Sequence, residues 1–151
     1  MKPTTLVAVV LVVAGLVATW RPVLPGPESI PAPADEATRA AVSPVRAALA
    51  GHTAEAGELA AFYHAAAACV RRDGTGQKIL AKTSHLRTFL ERAATVRFQG
   101  AFAKVPGLAE AIHGPQGALA QLLKLDVADL DHAKAAVALE AVAWACQEAS
   151  R

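Results

Sequence analysis

Five histidines and two cysteines are the side chains of this chain best suited to bind a metal ion or to form a covalent bond: His52, His64, His85, His113, His132, Cys69 and Cys146. They show neither the H-E-x-x-H spacing of a zinc enzyme nor a C-x-x-C pair or a C-x-x-C-H haem attachment. The sequence therefore predicts no metal ion and no cofactor. A bundle that gathers histidines from several helices around a metal or a small ligand is kept as an alternative.

The acidic residues give little sign of catalysis. Glu140 is the one charge in the middle of a long apolar stretch, where a carboxylate needs a basic partner or has a raised pKa. We predict a structural ion pair there, since no second titratable group accompanies it at a fixed spacing. Asp126, Asp129 and Asp131 lack the glycine and the terminal glutamate of a calcium-binding loop, and helix capping explains them more simply. We predict a protein that is not an enzyme.

The first twenty residues form an apolar segment behind Lys2, and from Leu6 to Trp20 nothing is more polar than one threonine. Such a segment is typical of a membrane-spanning helix or a secretory signal. Residues 4–20 span about 25 Å as a helix, slightly less than a hydrocarbon core of about 30 Å. Small residues for signal cleavage are poorly placed, so we favour an uncleaved anchor with its N-terminus inside. A cleaved signal is the alternative.

A proline-rich stretch follows, with five prolines in residues 21–34. It is predicted to be an extended linker that reaches up to about 40 Å at about 3.1 Å per residue. The remaining residues, 35–151, are enough for one compact domain. We thus divide the chain into an anchor or signal at 1–20, a linker at 21–34 and an exported domain at 35–151.

The exported domain is predicted to be all-α, a small bundle of three long helices with short helices between them. Alanine dominates its composition and β-branched residues are rare after residue 24, which favours helices. A helix at 35–50 is expected either to break at Pro44 or to restart there with Ser43 as its cap. The long helices are expected at 54–72, 77–98 and 131–149, and the short ones at 107–113 and 117–123.

Cys69 and Cys146 each stand near the C-terminal end of a predicted long helix. In a three-helix bundle the first and third helices run parallel, which would bring both cysteines to the same end. Because an exported domain folds where disulfides form, we predict a disulfide between them. Two small buried thiols are the alternative.

The net charge of +2 conceals a separation of charge along the chain. Between Arg71 and Lys104 eight basic residues accompany only two acids, whereas acids prevail from Glu110 onward. The best candidate for a functional surface is a basic face on the second long helix, formed by Lys78, Lys82, His85 and Arg92. It would suit an anionic lipid, a cell-wall polymer or an acidic partner, although a solvated helix face is the simpler explanation. Nucleic acid is not expected for an exported domain whose basic residues are not interleaved with an aromatic platform.

The sequence thus predicts a non-catalytic interaction or accessory module of the bacterial cell envelope. It would cross the inner membrane once with its N-terminus inside, contact lipid through residues 4–20, and bind a protein partner with its extracytoplasmic domain. One alternative is a secreted or periplasmic bundle that binds a metal or small ligand through histidines. A phage-type lysis accessory protein is a weaker one.

Overall fold

The computed structural model describes residues 29–123 and 129–151, and of residues 95–97 only the backbone. This part of the chain is all-α, as predicted, and contains no strand. Its six helices are α1 (Glu36–Ala48), α2 (Thr53–Thr75), α3 (Thr83–Lys104), α4 (Leu108–His113), α5 (Ala118–Leu123) and α6 (His132–Ala149).

None of these helices is long and apolar enough to cross a membrane. The predicted anchor at 1–20 and most of the predicted linker lie outside the described residues.

Helix α1 does not break at Pro44, contrary to the prediction. It starts behind Asp35, whose carboxylate accepts hydrogen bonds from the first free backbone N–H groups of the helix. Pro44 lies inside the helix and faces solvent, while Val42 and Val45 on either side of it are fully buried. A proline inside a helix costs roughly 3 kcal/mol, and burial of two valines is of similar size. The burial of the two valines therefore compensates for the cost of the proline, and the helix continues past it.

Helix α3 begins at Thr83, six residues later than predicted, because the preceding loop at 76–82 is held in another conformation. The carboxylate of Asp73 accepts hydrogen bonds from the backbone N–H groups of Ile79 (2.7 Å) and Leu80 (3.0 Å). Lys78 has a left-handed backbone conformation, with φ of 51°, which ends any helical path there. An aspartate that competes for backbone N–H groups thus delays the helix.

The centre of the bundle is the pair α2 and α6, and these helices run antiparallel. Near the start of α2, a Cβ atom on Gly57 would stand 3.9 Å from the Cβ of Ser150, just beyond the end of α6. At the other end of α2, Gly74 lies against His132, the first residue of α6. The prediction that the first and third long helices run parallel is wrong. Helix α3 ends near the start of α2, where Lys104 and Ala54 line the same pocket, whereas α6 begins beside the end of α2.

The predicted disulfide between Cys69 and Cys146 is also wrong: no bond joins them. On the antiparallel register Cys69 stands level with residue 137 of α6, which is about nine residues, or about 13 Å along the axis, from Cys146. A disulfide needs Cα atoms within about 7 Å. Cys146 is fully buried among apolar groups, which raises the pKa of its thiol to about 12.

Alkylation followed by intact mass measurement checks this arrangement. Without reductant, iodoacetamide should add one group to the folded protein, at the partly exposed Cys69, because Cys146 is buried and protonated. In denaturant, again without reductant, two groups should be added. A denatured protein that takes up none would contain the disulfide and contradict the structure.

Alanine and glycine let α2 and α6 approach closely. The buried alanines on these two helices are Ala56, Ala60, Ala66, Ala67, Ala135, Ala136, Ala138, Ala141, Ala143 and Ala145. The contact is tight at Gly74, where a Cβ atom would lie 2.6 Å from the Cβ of His132. Real Cβ atoms do not come so near, so only glycine fits there.

Replacement of Gly74 by alanine should therefore lower the free energy of unfolding by about 1–3 kcal/mol, since two helix backbones must move apart. Gly100 provides the matched control, because it is also helical and a Cβ atom there meets nothing within 4 Å. Gly100→Ala should be neutral or stabilise by up to about 1 kcal/mol. Urea denaturation of both variants measures the difference, and equal stabilities would contradict the close contact.

The chain joins the bundle before Asp35, where the domain was predicted to start. The side chain of Ile30 is buried in the core, and its backbone N–H donates to the Gln147 side-chain oxygen at 2.7 Å. The Arg151 guanidinium donates to the Ser29 hydroxyl at 3.1 Å. The last residues of the predicted linker thus pack on the C-terminal end of α6.

Candidate functional site

The predicted basic face does not form as a stripe along one helix. Lys78 and Lys82 lie in the loop before α3, and only His85 and Arg92 belong to the helix, where both are exposed. The ammonium group of Lys82 pairs with the Asp129 carboxylate at 2.5 Å. This contact holds the pKa of Asp129 below its usual value, mainly through the hydrogen bond from Lys82. One of the two lysines of the predicted face is thus tied to an acid just before α6.

Glu140 forms the structural ion pair that the sequence predicts. Its carboxylate accepts a hydrogen bond from the guanidinium of Arg71 on α2, and this hydrogen bond raises the pKa of Arg71. Asp131 caps α6 by accepting from the backbone N–H of Lys134 at 3.1 Å, which confirms its predicted capping role. Asp129 pairs with Lys82 and caps no helix. Asp126 lies outside the described residues.

The histidines lie at separate places. Within residues 29–123 and 129–151 no three His, Cys, Asp or Glu side chains are placed to hold a metal ion. His132 donates from Nε2 to the Asp73 carboxylate at 2.9 Å, and both side chains are nearly buried. With the two backbone N–H groups of the 76–82 loop, this contact ties together the end of α2, that loop and the start of α6. His132 is thus a structural residue.

His113, at the end of α4, is the histidine with an unusual environment. Its Nε2 and the hydroxyl of Tyr63 share a hydrogen bond of 2.7 Å, and Tyr63 is fully buried on α2. Burial lowers the pKa of His113 to about 4 and raises the pKa of Tyr63 well above its usual value. The ring is therefore neutral at pH 7. Its Nδ1 is buried and has no hydrogen-bond partner among the described residues.

His113 also forms part of a cleft of about 450 Å³ between α3 and α4, which is within the range of small-molecule sites. Its walls combine apolar and polar side chains: Arg87, Glu91, Ala94, Gln99, Phe102, Ala109, Glu110, His113, Gly114 and Pro115. The rings of Phe102 and His113 are 6.1 Å apart and tilted against each other. The cleft thus has an aromatic wall as well as charged groups.

Two kinds of charge line this cleft. Arg87 is already engaged, because its Nε donates to Glu91 at 2.9 Å and its Nη2 reaches the backbone carbonyl of His113 at 3.4 Å. Glu110 is exposed and lies beside Gly114. A Cβ atom at position 114 would collide with the backbone carbonyl oxygen of Glu110 at 2.5 Å and with its carboxylate. Glycine at 114 therefore allows the chain to pass close to Glu110.

Sequence reasoning missed this cleft. The sequence presents His113 as one of five histidines without a binding motif, and it gives no sign of a contact with Tyr63. Fifty residues separate them, so no local spacing links them. Only the packing of α4 beside α2 brings the two side chains together.

Comparison with family models, curated proteins and solved structures finds no match for this chain.

The burial of His113 predicts a pH dependence of stability. In the unfolded chain the imidazole takes up a proton below about pH 6.5, whereas in the folded protein it does so only near pH 4. The unfolded state thus binds more protons between these values, and stability falls as the pH drops through the window, by about 3 kcal/mol at most.

Urea denaturation at several pH values between 7 and 4 measures this loss. His113→Gln should reduce the dependence of the free energy of unfolding on pH, because glutamine does not titrate. His85→Gln, at an exposed position, should leave that dependence unchanged. The account of His113 fails if the two variants show the same slope as the original protein.

Proposed function

We propose that the chain is a non-catalytic, membrane-anchored interaction module of the bacterial cell envelope. In this proposal residues 1–20 anchor it in the inner membrane, the proline-rich residues before Ser29 act as a linker, and the helical domain binds a protein partner outside the cytoplasm. One observation carries the proposal. The chain enters the bundle at one end of the α2–α6 pair, and the loop at 76–82, with its exposed Ile79, lies at the other end.

The chain enters the bundle at Ser29 and Ile30, beside the C-terminal end of α6. Any tether that precedes residue 29 therefore leaves the bundle at that end. The loop at 76–82 follows the C-terminal end of α2, which lies beside the start of α6. Because the helices are antiparallel, this loop is at the end remote from the tether. A partner would meet it first.

The loop has the chemistry of a small docking site. Ile79 is 41% exposed, and Val137 on α6 is the only other large hydrophobic residue that the described part of the chain leaves exposed. Lys78 precedes it, also exposed. The hydrogen bonds that the loop donates to Asp73 already fix its conformation, so little conformational entropy is lost when a partner binds. An apolar side chain next to a lysine suits a partner surface that combines an apolar pocket with an acidic rim.

Co-purification of the tagged full chain from cross-linked native membranes tests this function. Ile79→Ser and Lys78→Asn should each reduce recovery of the partner, and asparagine accepts the left-handed conformation of residue 78. Arg46→Gln removes one exposed charge from α1 and should leave recovery unchanged. Deletion of residues 1–20 should release the protein from the membrane fraction.

Two results would contradict the proposal. One is that the full chain does not sediment with membranes. The other is that partner recovery is the same for the Ile79→Ser variant as for the unchanged protein.

The alternative function, a bundle that binds a small ligand through a histidine, is supported by a different observation, the cleft at His113. It uses other residues and does not exclude docking through the loop at 76–82.

A further inference from the structure

We propose that the cleft between α3 and α4 binds a small organic cation, an amine attached to an apolar or aromatic body. This inference goes beyond the interaction module, because it concerns residues of α3 and α4 rather than the loop at 76–82. It rests on the cleft's size, on the balance of its charges and on its aromatic wall.

The size of the cleft fits a small molecule rather than a peptide or protein. Its volume of about 450 Å³ lies in the lower half of the range for ligand sites in proteins. The apolar lining comes from Phe102, Ala94, Ala109 and Pro115, which together offer a surface for one ring or one short alkyl chain. When an apolar body of that size binds, its surface and these side chains are removed from water, which favours binding.

The sign of the charge follows from the acids and bases around the cleft. Arg87 and Glu91 neutralise each other through their ion pair at 2.9 Å. His113 is neutral at pH 7, because burial lowers its pKa to about 4. The Glu110 carboxylate is left without a cationic partner among the described lining residues, so the net charge of that lining is negative. A cation complements it and an anion does not.

The aromatic residues add a second preference for a cation. The side chain of Phe102 lines the cleft and is only partly buried. A cation over the face of such a ring gains about 0.5–1 kcal/mol at an exposed site. The neutral ring of His113, 6.1 Å from that of Phe102, adds a polar group without adding a positive charge. An amine between Phe102 and Glu110 would therefore meet both a carboxylate and an aromatic face.

Three probes of equal shape test the inference: 2-phenylethylamine as the cation, 2-phenylethanol as the neutral analogue and phenylacetate as the anion. Titration calorimetry on the full chain in a non-ionic detergent measures their binding at pH 7. We expect saturable binding of the amine and at least about tenfold weaker binding of the other two. The reason is that only the amine can donate a charged hydrogen bond to Glu110.

The same titration on variants locates the site. Glu110→Gln should weaken binding of the amine by about tenfold, and Phe102→Ala should also weaken it. Glu36→Gln removes an exposed carboxylate from α1, outside the cleft, and should leave binding unchanged. Because Glu110 is exposed, its replacement should not unfold the protein, which circular dichroism checks.

A second readout is the imidazole signal of His113 in two-dimensional NMR spectra, which should shift as the amine saturates the cleft and stay in place with phenylacetate. Equal affinities for the three probes, unchanged affinity after Glu110→Gln, or absence of saturable binding would each overturn the inference. Preferential binding of phenylacetate would overturn it too and would assign the cleft to an anion held by Arg87.

Discussion

The close antiparallel contact between α2 and α6 is the constraint on which the rest of the structure depends. Small side chains on both helices allow the two backbones to approach, and Gly74 against His132 fixes their register. That register brings Arg71 to Glu140 and Asp73 to His132, so these two polar contacts stabilise the same arrangement of α2 and α6 as the apolar packing. It also places Tyr63 in the core, where its hydroxyl is satisfied by a histidine from a short helix on the outside of the pair.

Much of this fold is predictable from local sequence, and the reasons are physical. Alanine-rich stretches with capping residues such as Asp35 and Asp131 define helices, and an isolated Glu140 in an apolar helix requires a cation. The direction of α6 is not predictable in the same way. It depends on how the chain between α3 and α6 packs, and the described part of that chain contains the short helices α4 and α5 with glycine and proline between them. The start of α3 depends on which N–H groups Asp73 binds.

In the candidate sites, too, some features follow from local sequence and others only from the packing of the helices. The exposed loop at 76–82 contains residues of the predicted basic face, but its shape follows from Asp73, which the sequence pattern presents only as part of a turn. The cleft is lined by α3, which supplies Phe102, and by α4, which supplies Glu110 and His113, and Tyr63 of α2 shares a hydrogen bond with His113. Periodicity describes one helix at a time, so it cannot reveal a cavity between helices. Both proposals for function therefore depend on the packing around α2 and α6.

Cysteine cross-linking between α2 and α6 tests that packing most directly, in a background with Cys69→Ser and Cys146→Ser. Gly57→Cys combined with Ser150→Cys should oxidise readily to a disulfide, because the two Cβ positions are 3.9 Å apart. Gly57→Cys combined with Ala136→Cys should stay reduced, since position 136 lies toward the opposite end of α6. A parallel arrangement would bring position 57 level with position 136 instead. Cross-linking of the second pair and not of the first would contradict the structure and both proposals built on it.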